Sequence, residues 1–526
     1  MKTKSRRHLF RQGGLLAVAA LGASARADAA AALGANAPVN AAPVAAEAGG
    51  VYRAIGVRPV INARGTFTII TGSTTLPEVK RAMDEASRSF VNMDELMEGV
   101  GKRLAELSGA EWGIVTAGCA AALTHCTAAA IAGFDPERMQ RMPDLTGMKN
   151  EVIIPSYSRN VYDHAIRMTG VKIVEVKTFA DLEPAFNDRT AMIYIMGGTG
   201  DDGPLGTAAV SAVARRKNVP VVVDAAAEVL TLKPNIHLAR GANAVAYSGG
   251  KCIRGPQAAG FVLGDKTWLK AAWINSAPHH AFGRSMKVGK EEIIGMLTAV
   301  EMWTKRDHQA EWKMWEGWLE TIATSVKRID GITTRIFDSS EGLSNKSPKL
   351  TIAWRSAVNG ADVAKHLFET EPRIVLAGST SNSVSVVPYQ MSSGDEKIVA
   401  VRLYETLSTS TGYASDSAGP ATPVAGQWEL HIDFGGQPAH HKLLFEQTEH
   451  ALIGTHQGRY YTSDLTGSVV GSSVSFRSSF HVEGTRLNYD FSGTLKDDKI
   501  TGTVNLGEYG TTTFTAERHK YAGRRA

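Results

Sequence analysis

An aspartate and a lysine lie 27 residues apart, each at the end of an apolar run. Val221-Val222-Val223 leads into Asp224-Ala225-Ala226-Ala227, and Ala244 to Tyr247 leads into Ser248-Gly249-Gly250-Lys251. A β-branched run is the mark of a strand buried on both faces. Open α/β sheets bind ligands beyond the carboxyl ends of their strands, and both charged residues fall at such ends. The chemistry that uses this pair is that of pyridoxal phosphate. The lysine amine forms a Schiff base with the cofactor, and the carboxylate keeps the pyridine nitrogen protonated so that the ring can accept electrons. Each residue alone is commonplace. An aspartate after a valine run is usually a cap or turn residue, and a loop lysine is usually solvated. Order, spacing and the glycine turn together favour the cofactor.

The segment Ser248-Gly249-Gly250-Lys251-Cys252-Ile253-Arg254-Gly255-Pro256-Gln257 resembles the lysine segment of the selenocysteine-synthase-like branch of fold-type I pyridoxal-phosphate enzymes. That branch includes the D-glucosaminate-6-phosphate ammonia-lyase type, with class V aminotransferases as wider kin. The resemblance extends to Val60-Ile61-Asn62-Ala63-Arg64-Gly65-Thr66 and to Tyr162-Asp163-His164-Ala165. It spans roughly Val51 to Arg373 and covers neither end of the chain. It implies a seven-stranded, mostly parallel sheet in a large domain, a small α/β domain after it, and an active site shared by two subunits. A homodimer or larger assembly is therefore expected.

The elements agree with that expectation. Candidate strands are 113–116, 151–154, 172–176, 191–196, 219–223, 244–247 and 259–263, separated by helical patterns. Alternation of this kind specifies an α/β domain with a sheet covered on both faces. The first strand runs into Thr116-Ala117-Gly118-Cys119 and an alanine-rich helix. Small residues at a helix start leave backbone N–H groups free for a phosphate. The expected cofactor site is thus Thr116, Ala117, Gly118, Cys119, Asp224, Ala226, Ser248 and Lys251, with Lys251 and Asp224 catalytic.

Many relatives in the branch have a histidine where this chain has Ser158, so Tyr157 or Arg159 could stack on the cofactor ring instead. His164 reads as an ordinary helix residue. Candidate arginines for a substrate carboxylate are Arg64, Arg159, Arg254 and Arg373, because guanidinium binds carboxylate bidentately. Asp201-Asp202-Gly203-Pro204 reads as a solvated turn. The three cysteines, Cys119, Cys126 and Cys252, form no disulfide framework and no zinc spacing, and no metal is expected. Cys119 and Cys126 read as buried small hydrophobes.

The ends are of different character. Ser5-Arg6-Arg7-His8-Leu9-Phe10, the apolar run Leu15 to Leu21 and small-residue cleavage sites before Asp28 read as a twin-arginine export signal over 1–27. The apolar run is too short to span a bilayer. A linker is expected over 28–50, the large domain over 51–303 and the small domain over 304–407. A Ser/Thr/Gly/Pro-rich linker over 408–425 precedes an antiparallel β-barrel, lipocalin-like in size, over 426–526. Its strands are read at 428–432, 443–447, 474–476, 487–491 and 512–516.

The 526 residues carry a net charge of +5, which falls to −1 without the six cations of 1–27. Net charge therefore gives no case for nucleic-acid binding, and a tRNA substrate is not expected of an exported enzyme. The expected protein is a periplasmic, pyridoxal-phosphate-dependent enzyme eliminating a β-substituent and ammonia from an amino acid or amino-sugar acid. Aminotransferase and racemase chemistry use the same residue pair. A non-catalytic binding protein would have no need of both Asp224 and Lys251.

Overall fold

The computed structural model describes residues 50–198, 200–338, 346–355, 358–409 and 420–520, and among them the large sheet has seven strands. The expected export signal, nearly all of the first expected linker and most of the second lie outside these residues. In chain order the strands are β1 (Ile61–Ala63), β2 (Trp112–Thr116), β3 (Glu151–Pro155), β4 (Lys172–Val176), β5 (Thr190–Met196), β6 (Val221–Asp224), β7 (Ala244–Ser248) and β8 (Gly260–Gly264). The large sheet is ordered β2-β8-β7-β6-β5-β3-β4. Pairings among β4, β3, β5, β6 and β7 are parallel. β8 runs antiparallel to both β7 and β2, which makes the sheet mixed. The reason is the connection from β7 to β8. It spans only Gly249 to Ala259, too short for the crossover that parallel strands need. That short return is the segment that carries Lys251.

Strands β2, β3, β6 and β8 are buried along their whole length, as their continuous apolar runs require. Helices cover them. Met93–Ser108 shows how the sequence sets one of these. Asn92 caps its start by accepting from the N–H groups of Asp94 and Glu95, Gly109 ends it in the left-handed region, and Met97, Val100 and Leu104 form its buried stripe.

A second core follows. Strands β9 (Thr333–Asp338), β10 (Pro348–Ala353), β11 (Ile374–Leu376), β12 (Gly378–Thr380) and β13 (Ser383–Val386) include a four-stranded sheet ordered β12-β13-β10-β9. Leu319, Ile322 and Val326 of the helix His308–Val326 pack on Leu350, Ile352, Val384 and Val386. β1 pairs in parallel with β11, tying the segment before Arg64 to this part of the chain.

The carboxyl-terminal segment is a closed eight-stranded antiparallel barrel. Its strands are β14 (Gly426–Asp433), β15 (Pro438–Thr448), β16 (Ala451–Gln457), β17 (Thr462–Val470), β18 (Ser473–Val482), β19 (Thr485–Lys496), β20 (Lys499–Asn505) and β21 (Thr511–Arg518). β14 pairs with β21 to close it, so no edge is left. Residues alternate inward and outward, as Ala439, His441, Leu443 and Phe445 do on β15. Three strands, β16, β17 and β20, escape the sequence pattern because glycines interrupt them. Those glycines are close approaches rather than turns: a Cβ on Gly454 would stand 1.8 Å from the Leu444 carbonyl oxygen. Among the described residues no helix is long and apolar enough to cross a membrane.

Candidate active site

Asp224 closes β6 with its carboxylate almost fully buried, 7% exposed. Its Oδ1 accepts from the Ala226 N–H at 3.0 Å and from the Cys119 thiol at 3.5 Å. Its Oδ2 accepts from the Tyr194 hydroxyl at 3.0 Å. Tyr194 stands on the neighbouring strand β5, and its oxygen accepts in turn from Asn160 Nδ2 at 2.9 Å. Burial pushes the Asp224 carboxyl above its ordinary range, against these hydrogen bonds and the charge of Lys251, which lower it. Burial and Asp224 together push the Cys119 thiol well up, so that Cys119 is a donor and not a thiolate.

Lys251 sits in the return from β7. Gly249 donates to the Ala259 carbonyl and Gly255 to the Gly249 carbonyl, each at 2.8 Å, which closes the turn. Lys251 Nζ donates to the Thr66 carbonyl at 3.3 Å. Burial lowers its pKa, with the Asp224 charge opposing, so the amine is more readily neutral than a surface lysine. Thr66 is itself fixed by Tyr389, whose oxygen accepts from the Thr66 N–H at 3.0 Å and lies 3.1 Å from its hydroxyl. A cavity of about 310 Å³ adjoins this point, bounded by Cys252, Tyr389, Trp303 and Trp315.

Thr116 ends β2, and its hydroxyl donates to the Gly118 carbonyl at 2.8 Å. The helix Gly118–Ala132 begins with no side-chain cap, and a Cβ on Gly118 would meet open space. Its first N–H groups are thus left for a ligand. The helix start lies hard against β8: a Cβ on Gly260 would stand 2.6 Å from the Gly118 carbonyl carbon and 2.7 Å from the Cys119 nitrogen. The structure therefore links Asp224, Ala226 and Cys119 by direct hydrogen bonds, with Lys251 within reach of the Asp224 charge. Thr116, Ala117 and Gly118 adjoin Cys119 at the helix start, and Ser248 is the half-buried last residue of β7.

The candidate arginines separate. Arg159 is bound to Asp163 at 2.6 Å, Glu175 at 3.2 Å and Glu483 at 2.6 Å, so its guanidinium is already engaged by three carboxylates. Arg254 donates to the carbonyl and hydroxyl of Thr74, and Arg373 lies over the Phe368 ring and donates to its carbonyl. Arg64 differs. Its guanidinium lies 4.1 Å from the Phe67 ring centre, and its buried Nε has no hydrogen-bond partner. It is two residues from the carbonyl that receives Lys251.

Ser158 is buried and accepts from the Met196 N–H at 3.0 Å, and the Tyr157 hydroxyl donates to the Leu205 carbonyl. His164 is exposed on a short helix. The Asp201–Asp202 turn is not solvated throughout. Asp202 is exposed, but Asp201 is buried, accepting from the Thr207 N–H and from Arg240, with His237 beside it. Tyr194, Asn160, Thr66 and Tyr389 were not foreseeable. A tyrosine inside a buried strand and a threonine 185 residues from its lysine carry no local signal.

A buried carboxylate and a desolvated lysine at the ends of adjacent strands, beside an uncapped helix, define a pyridoxal-phosphate-dependent enzyme of fold-type I. No family model matches the chain. D-glucosaminate-6-phosphate ammonia lyase of Salmonella typhimurium (strain 14028s / SGSC 2262) is 32% identical over 370 residues, covering 68% of this chain and 97% of the relative. 5'-C-glycyluridine monooxygenase-decarboxylase of a Streptomyces species is 30% identical over 375 residues, 68% of this chain and 92% of that one. A solved structure of D-glucosaminate-6-phosphate ammonia-lyase matches at a TM-score of 0.61 and 30% identity, over 68% of this chain and 97% of its own. The chain belongs to the family of D-glucosaminate-6-phosphate ammonia lyase, and its cofactor is pyridoxal phosphate. L-seryl-tRNA(Sec) selenium transferase of Proteus mirabilis (strain HI4320) is 23% identical over 287 residues, 48% of this chain and 58% of that one.

Proposed function

We propose that this enzyme removes a β-hydroxyl and then ammonia from a hydroxylated amino acid or amino-sugar acid. The observation that carries the proposal is the Asp224–Lys251 pair in a chain 32% identical to an ammonia lyase. The residues present fit the cofactor. The donors to Asp224 are a hydroxyl, an amide and a thiol, none of them charged, so a protonated ring nitrogen supplies the positive partner that a buried carboxylate lacks. The uncapped start of the helix Gly118–Ala132 suits the phosphate. Lys251 anchors the cofactor, which supplies an electron sink when bound.

The chain's own groups do the rest. The desolvation that lowers the Lys251 pKa leaves its amine able to take a proton from the substrate Cα as general base. The Thr66 carbonyl holds Nζ in place when the amine is free, and Tyr389 holds Thr66. Arg64, with its unpartnered Nε, is the proposed clamp for the substrate carboxylate. Tyr194 and Asn160 keep Asp224 oriented. The test is a screen of β-hydroxy amino acids and amino-sugar acids without added keto acid. Equimolar ammonia and keto acid are expected. Substrate consumption without ammonia would overturn the lyase assignment, and oxygen-dependent release of carbon dioxide would assign the chemistry named for the Streptomyces relative.

Two further proposals concern place and assembly. The Arg6-Arg7 motif supports export by the twin-arginine route, which carries folded, cofactor-loaded proteins. Changing both to lysine should leave unprocessed enzyme in the cytoplasm, and normal periplasmic activity in that mutant would remove the proposal. Phe67, Ile69, Phe90 and Val91 are exposed large apolar residues, which supports burial against a second copy in a homodimer.

A further inference from the structure

The barrel interior changes character along its length. Trp428, Phe445, Phe476, Phe491 and Phe514 fill one part in edge and stacked contacts. Beside them lies a polar layer. His441 on β15, His456 on β16 and Ser478 on β18 are 6%, 0% and 2% exposed. His441 Nδ1 is 2.9 Å from His456 Nε2, and His456 Nδ1 is 2.6 Å from Ser478 Oγ. Beyond this layer the barrel holds a cavity of about 230 Å³, walled by Phe480, Leu487 and Tyr489 and rimmed by Phe434 and Tyr461.

Buried polar groups in an aromatic core are costly unless each finds a partner. Ser478 and His456 find theirs in the chain. The ring of His441 lines the cavity, and its Nε2 has no hydrogen-bond partner among the described residues. The relay decides what that atom presents. When the Ser478 hydroxyl donates to His456 Nδ1, His456 Nε2–H donates to His441 Nδ1, and the hydrogen of neutral His441 sits on Nε2. The cavity floor then offers an N–H donor without a charged imidazole. Burial keeps both rings neutral, lowering His441 and taking His456 down to about 3. Arg459 stands on the turn next to His441, close enough for its charge to act on that ring, and among the described residues no carboxylate lines the cavity.

With the relay in that sense, a donor at the floor, a guanidinium beside it and aromatic walls match one kind of ligand. We propose that the barrel binds a small aryl carboxylate, with its acid group on His441 Nε2 and Arg459 and its ring between Phe480, Leu487 and Tyr489. The cavity is smaller than a drug-sized pocket, so one ring with a short side chain is its natural occupant.

The experiment is calorimetry on the full-length holoenzyme with trans-cinnamate, and with benzylamine as the cationic comparison. Cinnamate is expected to bind one site per chain and benzylamine not at all. Arg459 is exposed, so Arg459→Ala leaves the barrel core intact; it should weaken cinnamate about tenfold or more, and Arg459→Lys should recover part of the loss. The active site also accepts carboxylates by the proposal above, so Arg64→Ala provides the separation: cinnamate affinity should not move. Absence of binding at millimolar cinnamate, equal binding of benzylamine, indifference to Arg459→Ala, or loss with Arg64→Ala instead would each overturn the proposal. None of these outcomes bears on the lyase assignment.

Discussion

Tyr194→Phe removes one of the three donors to Asp224 and leaves the shape of the core. The buried carboxylate keeps its amide and thiol bonds but loses Oδ2 support, and Asn160 Nδ2 loses one of its two acceptors, keeping the Ser158 carbonyl. The expected cost is about 1–3 kcal/mol in stability, with a lower kcat, measured by denaturant unfolding and steady-state kinetics. Asp224→Asn goes further, since a neutral amide no longer matches a protonated ring nitrogen. Cofactor should still bind, while kcat falls roughly ten- to a hundredfold, the worth of a charge-assisted hydrogen bond of about 1.5–3 kcal/mol. Lys251→Ala should abolish borohydride trapping of cofactor; trapping at another lysine would refute the anchor. His237 makes a different prediction. It lies buried with Glu228 Oε2 2.5 Å from Nε2 and Asp201 Oδ2 3.3 Å from Nδ1. Burial alone would lower its pKa, but the two carboxylates raise it to about 9. Its unfolded value is about 6.5, so its contribution is complete below pH ~6.5 and is lost as pH rises through about 9. Stability should fall by about 3 kcal/mol across that window, and His237→Gln should flatten the fall.

At the scale of elements, the segment from Tyr157 to Asp163 connects the barrel to the cofactor carboxylate. The hairpin between β18 and β19 places Glu483 on Arg159 and Gly484 against Asn160. A Cβ at Gly484 would stand 2.1 Å from the Asn160 carbonyl oxygen. Asn160 in turn donates to Tyr194, which donates to Asp224. Gly484→Val should therefore displace the hairpin and lower kcat in a folded protein that retains its cofactor; unchanged kinetics would show that the chain of contacts carries no coupling. Two substitutions in the same ion-pair cluster should differ sharply. Glu483 is half exposed, so Glu483→Ala should cost no more than about 1 kcal/mol. Arg159→Ala strips a cation from Asp163, which is fully buried and keeps only Arg167, and should cost about 3–5 kcal/mol. Thermal or denaturant unfolding of the pair decides.

The described residues form three separate hydrophobic cores, under the large sheet, under the small sheet and inside the barrel. The exposed apolar residues of greatest interest lie outside all three. Phe90 is wholly exposed and stands beside Val91, close in sequence to the helix Met93–Ser108 that covers the sheet. Light scattering should give a dimer or larger assembly for the wild type. Phe90→Glu should shift it toward monomer with loss of activity, because a charge cannot be buried there without a partner. A fully active wild-type monomer would refute the assembly.

Much of this protein is legible from local sequence, because the signals are short-range. Buried strands show as β-branched and apolar runs, so all seven strands of the large sheet can be placed from the chain alone, with Asp224 and Lys251 beyond two of them. Glycine and small residues at 116–119 mark a helix start open to an anion for the same reason. What tertiary structure alone decides are contacts between distant residues. Tyr194, Asn160, Thr66 and Tyr389 support the site, and each is an unremarkable residue until the sheet and the β1–β11 pairing bring it there. Arg159 has the composition of a substrate ligand but is consumed by Asp163, Glu175 and a glutamate 324 residues away. Asp201 reads as a solvated turn residue until His237 and Arg240 fold over it. Barrel strands with inward glycines are invisible to an alternation rule, because a glycine there records the close approach of a neighbouring strand and not a break in its own.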